Sequence, residues 1–518
     1  MNVVMIVSMV LCAAIGIWGV VDPDAMTNAA QALVNYAFSA LDWFFLLLCT
    51  FFVVFMAVMA FSKYGNIKLG SDDEEPEFST ASWIAMLFAA GMGSGLLFWG
   101  VAEPIYHFMT PPGMDGETPQ AARQAFVITN LHWGIHAWSI YGCCALVIAY
   151  FTFRLGLPSM ISTPILVAFK NVFNKRSLKG VGATADILAV IAVIFGLAGS
   201  LAMGTLMVRS GMSSVFGTDN TSNTISFAIL GVMTVCFLIS ASTGVDKGIK
   251  ILSNINMVVA IIILLVVLFG GPTAYLLQVF VYSIGDYLIQ FIPMSFKTYS
   301  FQPAASWNWF HGWTLTYLIW WLAWGPFVGI FIARISRGRT IREFVIYVVG
   351  VPTIVSMLWF AAFGGAAIHI EMFGGGGLSD KVFADVSAAL FAFFEYFPAT
   401  GMLNFLSVCL IFIFLVTSAD SGTFVISMMT SEGNLNPATK TKLTWGLIIA
   451  AITVATLATG SVSVAKAMAI TGAIPFTFIV IMQMAGFVRI VREDPLIRET
   501  HTKVRATGSE APADSATT

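Results

Sequence analysis

The chain has 518 residues, of which 58% are hydrophobic and only 10% charged, and its mean hydropathy is +0.86. A water-soluble domain carries about 25% charged residues, so lipid must cover much of this surface. The net charge of −2 offers no footing for a nucleic-acid partner. The six cysteines (Cys12, Cys49, Cys143, Cys144, Cys236, Cys409) all lie inside apolar runs, as small packing residues rather than a disulfide framework.

Residues 1–21 are apolar and end at Asp22, and the first Lys or Arg is Lys63. A cleavable leader opens with a basic segment, so this stretch is expected to be a retained first span. Runs of about 18 or more apolar residues mark candidate spans. They fall near 3–21, 39–62, 82–103, 128–152, 183–208, 223–242, 251–270, 308–333, 343–368, 401–429, 443–460 and 467–488. Two further apolar stretches, 275–294 and 382–397, contain charges (Asp286; Asp385 and Glu395) and are expected to be interfacial or re-entrant helices. The expected fold is all-α and integral to the membrane, with twelve transmembrane helices. Its parts are two peripheral spans (1–81), a five-span block (82–270), an interfacial connection (271–307), a second five-span block (308–488) and a disordered tail (489–518).

The basic residues test this count, because cytoplasmic loops collect Lys and Arg. Arg123, Arg209, Lys297, Lys381 and Lys466 fall to one face, and the other twenty of the 25 fall to the opposite face, alternating loop by loop. Both termini are therefore expected in the cytoplasm, with the chain in the cell inner membrane. The five basic residues of the tail are matched by Glu493, Asp494, Glu499, Glu510 and Asp514, so it does not read as a polybasic lipid-binding segment.

The third span carries Gly91, Met92, Gly93, Ser94 and Gly95. Alternating glycines permit close helix packing or a local unwinding, which is tolerated in a membrane only beside protein or a water-filled cavity. The eighth span carries Trp324-Gly325-Pro326, which predicts a break or a kink. These two sites begin two five-span blocks, spans 3–7 and 8–12, and an odd span number gives the blocks opposite orientation. Interrupted helices at matching positions of inverted halves point to the central site of a secondary transporter.

Trp320, Trp321 and Trp324 lie near the predicted break, and Trp133, Trp138 and Tyr141 lie on the fourth span. Tryptophans often anchor spans at the interfaces. Grouped in mid-span they also suit a cage for a quaternary ammonium, which has no N–H to donate and binds ring faces. Asp420 is the clearly internal carboxylate, whereas Glu103 and Asp186 fall near span ends. Asp420 is either an ion- or proton-linked group or a helix cross-link. Thr417 and Ser418 are hard oxygen donors suited to Na⁺, or hydroxyls bonded back to the preceding turn. His132 and His136 stand at i,i+4, but neither a nearby Glu nor a Cys completes a metal motif. No cofactor is expected beyond a coupling ion.

Four stretches carry a resemblance: GMGSGLLFWGVAEP (91–104), LHWGIHAWSIYG (131–142), WTLTYLIWWLAWGPFVGIFIARISRGRTIREF (313–344) and VTSADSGTF (416–424). The chain resembles the betaine/choline/carnitine transporter family over about residues 3–490. The resemblance implies twelve spans with two inverted five-helix repeats of the LeuT-like kind, commonly in homotrimers. It implies that Trp133, Trp138, Tyr141 and Trp321 cage an ammonium, with Trp320 and Trp324 along the substrate path and Trp324 near the substrate's carboxylate. It further implies a Na⁺ site from Ala89, Met92, Phe414, Thr417 and Ser418. The positions aligned with a second-site threonine pair are Val193 and Leu197, so a single Na⁺ per cycle is expected. Choline carriers of the family often carry Asp where this chain has Gly95, which fits a zwitterion bringing its own carboxylate, such as glycine betaine or dimethylsulfoniopropionate. The absence of long charged terminal extensions predicts little direct osmotic activation. No basic side chain is evident near the central segments, which disfavours a sodium-independent exchanger. Proton coupling through Asp420 or His132, or exchange, remains the alternative within transport. A membrane enzyme would need a catalytic set at one depth, and a sensor a linked output domain; the sequence supplies neither.

Overall fold

The computed structural model describes residues 2–91, 93–243 and 246–497; of residues 88–91, 243 and 246–252 only the backbone is described. Among the described residues every regular element is helical, and strand pairing is limited to a single bridge between Lys68 and Thr340. The first half of the chain folds as α1 (Val3–Val21), α2 (Pro23–Phe61), α3 (Thr80–Gly91), α4 (Ser94–Met109), α5 (Pro119–Trp133), α6 (Ile135–Ala149), α7 (Thr163–Ala168), α8 (Lys175–Phe216), α9 (Asn223–Thr243) and α10 (Asp246–Gly270). There follow α11 (Thr273–Ser295), α12 (Ala304–Phe310), α13 (Thr316–Ile335), α14 (Ile341–Phe373), α15 (Leu378–Ala384), α16 (Ala389–Phe394), α17 (Thr400–Met429), α18 (Thr439–Leu457) and α19 (Val462–Val491).

Twelve helices or joined helix pairs are long and apolar enough to cross a membrane, but they are not the twelve read from the sequence. The third span is absent from that set because it is split into α3 and α4, each too short alone. The 23-residue α11 is present in it. Loop contacts decide between the two. The backbone N–H of Leu69 donates to Arg339 O (2.8 Å), and that of Ile341 donates to Ile67 O (2.9 Å). The loop before α3 and the loop after α13 therefore share one face, which requires an even number of crossings between them. The α3–α4 pair, α5–α6, α8, α9, α10 and α12–α13 supply six; a crossing α11 would make seven. Arg154, past α6, likewise bonds Asp72 before α3 and Asp494 after α19. So α3 and α4 cross as one broken span, and α11 does not cross. The expected interfacial helix is thus a full 23-residue helix on the face opposite the basic loops. Its Asp286 carboxylate, the charge that set it apart in the sequence, receives two hydrogen bonds from Arg123 of α5 (2.8 and 2.9 Å). The same parity places the start of α3 and the start of α12 on opposite faces. The chain ends agree: Asn2 donates to Thr430 O at the end of α17 (3.2 Å), on the basic face.

Burial separates inner from outer helices. In the most apolar stretch of α5–α6, 94% of residues are buried, against 78% for α8 and 72% for α12–α13. The corresponding values for α1, α9 and α10 are 22%, 33% and 28%. Outward side chains such as Ile17, Val235 and Phe269 are apolar, as a lipid-facing surface requires. The 42-residue α8 runs through the centre and packs against α13, α17 and α19.

Two expectations are corrected here. The tail boundary at 489 falls inside α19, and Asp494 beyond it is buried, accepting hydrogen bonds from Arg154 and the Tyr150 hydroxyl. Residues 498–518, including the rest of that tail, lie outside the described residues. The predicted break at Trp324-Gly325-Pro326 is not a break. Helix α13 continues through Pro326, and the irregular turn of this span lies earlier, a π-turn at His311–Leu315. Gly325 and Gly329 serve packing instead: a Cβ on either would stand 3.0 Å from Cys144 of α6, so the two central spans meet almost backbone to backbone.

Candidate functional site

Both spans that open the first block are broken. Helix α3 stops at Gly91 and α4 starts at Ser94, with Gly93 extended (φ −107°, ψ −173°). Met92 lies outside the described residues. The fourth span breaks between α5 and α6 at Gly134 (φ −99°, ψ −134°). A Cβ there would fall 2.4 Å from Asn130 O, so only glycine fits. A break this deep must find partners for the backbone groups it frees. The His132 carbonyl receives the Trp321 indole N–H from α13 (2.8 Å). Gly134→Val is expected to abolish uptake and lower the thermal midpoint in detergent by several degrees; an unchanged midpoint would show that the break is not required for folding.

The break turns Trp133 toward α13. Its ring stands 5.2 Å from Trp321 at 88°, and Trp321 stands 5.1 Å from Tyr141 at 79°. Tyr141 meets Trp138 at 5.7 Å and 81°. Four of the sequence-predicted cage residues therefore converge at mid-span as near-perpendicular walls. Gly95 lies against this group, since a Cβ there would come 3.1 Å from the Trp133 ring. Trp320 and Trp324 lie outside these contacts. Trp320 neighbours Tyr317 (6.2 Å), and Trp324 packs on Phe327 (5.5 Å) and borders Gly196 of α8.

Glu103, expected near a span end, anchors the Trp133 ring of this aromatic group. It is fully buried inside α4. Its Oε2 accepts the Trp133 indole N–H at 2.7 Å, and its Oε1 is hydrogen-bonded to the His132 Nδ1 (2.6 Å) and the His107 Nε2 (3.3 Å). The second nitrogen of His132 meets the Thr314 hydroxyl at 2.9 Å. The break at Gly134 also separates His132 from His136, whose ring packs on Phe291 (5.2 Å), so the i,i+4 pair forms no joint site. The sequence signal for Glu103 is its i,i+4 spacing from His107, which puts the two on one face of α4.

Of the expected Na⁺ ligands, Ala89 lies in the last turn of α3, where only the backbone is described, and Phe414, Thr417 and Ser418 lie on the unbroken α17. The Thr417 hydroxyl donates back to Ile413 O (3.0 Å) and Phe414 O (3.1 Å). Its proton thus faces its own helix, and the oxygen lone pairs stay available to a cation. Val193 and Leu197 are buried and apolar. Asp420 is buried on α17 and engaged with neighbouring groups.

A twelve-span bundle with unwound glycine breaks and an aromatic enclosure at mid-depth is built as a membrane carrier. Residues 3–496 match the BCCT family, described as betaine/carnitine/choline family transporters. An ectoine/hydroxyectoine transporter of Virgibacillus pantothenticus is 42% identical over 492 residues, 95% of this chain and 96% of the relative. The glycine betaine transporter OpuD of Bacillus subtilis is 41% identical over 477 residues (92% and 91%). The high-affinity choline transport protein of Escherichia coli is 35% identical over 470 residues (90% and 68%). The chain belongs to the BCCT family: it is a multi-pass membrane transporter of compatible-solute type, not an enzyme.

Proposed function

We propose that the protein imports a zwitterion whose positive end is a quaternary ammonium or sulfonium, of the glycine betaine or dimethylsulfoniopropionate type, together with one Na⁺ per cycle. It does so across the cell inner membrane, with the basic loops and both ends in the cytoplasm, as a homotrimer of chains with inverted five-span repeats. The observation that carries the substrate reading is the convergence of Trp133, Trp138, Tyr141 and Trp321, from two different spans, into one enclosure. Ring faces attract a cation that cannot donate a hydrogen bond, at about 0.5–2 kcal/mol each. Gly95 puts no carboxylate where it borders the Trp133 ring, and the neighbouring Glu103 carboxylate is taken up by Trp133, His132 and His107, which favours a solute carrying its own. Neighbours named for glycine betaine and for ectoine support the zwitterion class.

The Na⁺ reading rests on the Thr417 oxygen lone pairs and on the apolar Val193 and Leu197, which provide no side-chain oxygen for a second ion. Thr417→Ala is expected to raise the Na⁺ concentration for half-maximal uptake at least fivefold, while Val193→Ala leaves it within twofold. Equal small effects would remove Thr417 from ion binding. The deciding experiment is uptake of labelled glycine betaine into proteoliposomes with and without an inward Na⁺ gradient. Unlabelled choline, carnitine, ectoine and dimethylsulfoniopropionate serve as competitors. Accumulation that persists without Na⁺ would overturn the symport reading in favour of proton coupling or exchange.

A further inference from the structure

The sequence put Lys466 in an outlying loop and no basic group near the centre. The structure corrects this. Lys466 lies in the first turn and a half of α19 and turns inward. Its ammonium stands 4.3 Å from the Trp99 ring centroid, 4.5 Å from Trp313 and 5.9 Å from Tyr317. These rings come from α4, the π-turn before α13, and α13 itself. Trp99 meets Trp313 at 78° (5.7 Å) and Tyr317 at 71° (5.9 Å), the same perpendicular walls as in the central enclosure. Glu103 supplies the opposite charge to Lys466. The two enclosures are contiguous, since Tyr317 touches Trp133 edge to face at 5.6 Å. By the parity of crossings, the Lys466 end lies toward the face opposite the basic loops.

We propose that Trp99, Trp313 and Tyr317 form a second cation-binding station on the solute path, held in this conformation by the protein's own ammonium, Lys466, and taken by the cationic head of an incoming solute when Lys466 swings out. The inference rests on the quaternary-ammonium reading of the central enclosure. A lysine over three aromatic faces is chemically the ligand such an enclosure selects. Lys466 is only partly buried and sits on a flexible stem at the start of its helix, so it can withdraw without moving the bundle. With Lys466 in place, α19 is also tied across α4 and α13, which closes the path above the central enclosure. Each solute cation then exchanges for a resident one, and Glu103 is never left without a positive partner.

The test is equilibrium binding of glycine betaine to the purified full chain in detergent, by titration calorimetry, for the wild type, Lys466→Met and Lys466→Arg. The expected result is one class of sites in the wild type and in Lys466→Arg. In Lys466→Met a second, at least tenfold weaker class appears, raising the stoichiometry from one to two. Adding Trp313→Leu to Lys466→Met removes the second class. Monodispersity and thermal midpoint show that each variant is folded, and Lys466→Arg keeps the test informative if Lys466→Met is not. A single class of unchanged affinity in folded Lys466→Met overturns the proposal, as does a second class in Lys466→Arg equal to that in Lys466→Met. In the Lys466→Met background, Trp321→Ala is expected to weaken only the tighter class, by ten- to thirtyfold. If it weakens neither, the central reading fails, whatever the outer station does.

Discussion

Glu103→Ala is expected to reduce glycine betaine uptake at least a hundredfold, and Glu103→Gln about tenfold. The carboxylate accepts from the Trp133 indole and is hydrogen-bonded to His132 and His107, all in a fully buried setting. Hydrogen bonds to an ionised partner contribute about 1.5–3 kcal/mol, and a buried donor left unsatisfied costs about 1–3 kcal/mol. Alanine orphans the Trp133 N–H, and the ring it aims is a wall of the enclosure. Glutamine keeps one carbonyl for Trp133. His132 can then accept from the amide by changing tautomer, because the Thr314 hydroxyl on its other side takes either role. The charge facing Lys466 is lost in both variants. Initial uptake rates across a range of substrate concentrations, with thermal unfolding in detergent, separate the cases. A folded Glu103→Ala protein with wild-type KM would show that Trp133 is aimed by packing alone.

Much of this architecture was legible because membranes impose simple rules on sequence. The loop-by-loop alternation of basic residues gave the right number of spans, and hydrogen bonds between the Ile67–Leu69 and Gly338–Ile341 backbones enforce the same parity. Asp286 set α11 apart from the spans, and the alternation agreed with leaving it out, although its length and composition alone would admit it. The grouping of Trp133, Trp138, Tyr141 and Trp321 was legible for a related reason, as Trp and Tyr grouped in mid-span stand out against an anchoring belt. What escaped was anything set by contact between distant segments. The break at Gly134 has no proline or glycine cluster to announce it, only a single Gly whose Cβ would strike Asn130 O. The glycine of Trp324-Gly325-Pro326 carries the usual signature of a break, yet it serves helix contact with Cys144, and the helix runs on through Pro326. Glu103 and Lys466 looked peripheral because each was measured against the end of its own span. Apart from His107, one turn along α4 from Glu103, their partners lie on other helices, and contacts between helices leave no pattern in linear spacing.

Trp321→Ala is expected to raise the apparent KM for glycine betaine ten- to thirtyfold with normal expression, and Trp321→Phe about threefold. Trp321 touches both Trp133 and Tyr141, so it is the ring through which the two spans share one enclosure. Losing one aromatic face costs about 0.5–2 kcal/mol of cation attraction, and every 1.4 kcal/mol is a factor of ten in affinity. A second loss adds to it, since the Trp321 N–H no longer serves the His132 carbonyl exposed by the break at Gly134. Phenylalanine restores a face but not the N–H, so the Phe-to-Ala ratio in KM reads the ring and the wild-type-to-Phe ratio reads the hydrogen bond. Measured against a cation-free osmolyte as competitor, a true cage loses affinity only for the charged solute. A KM unchanged in Trp321→Ala would move the ammonium site elsewhere along the aromatic chain, and the Tyr317 ring joining the two enclosures would be the next to test.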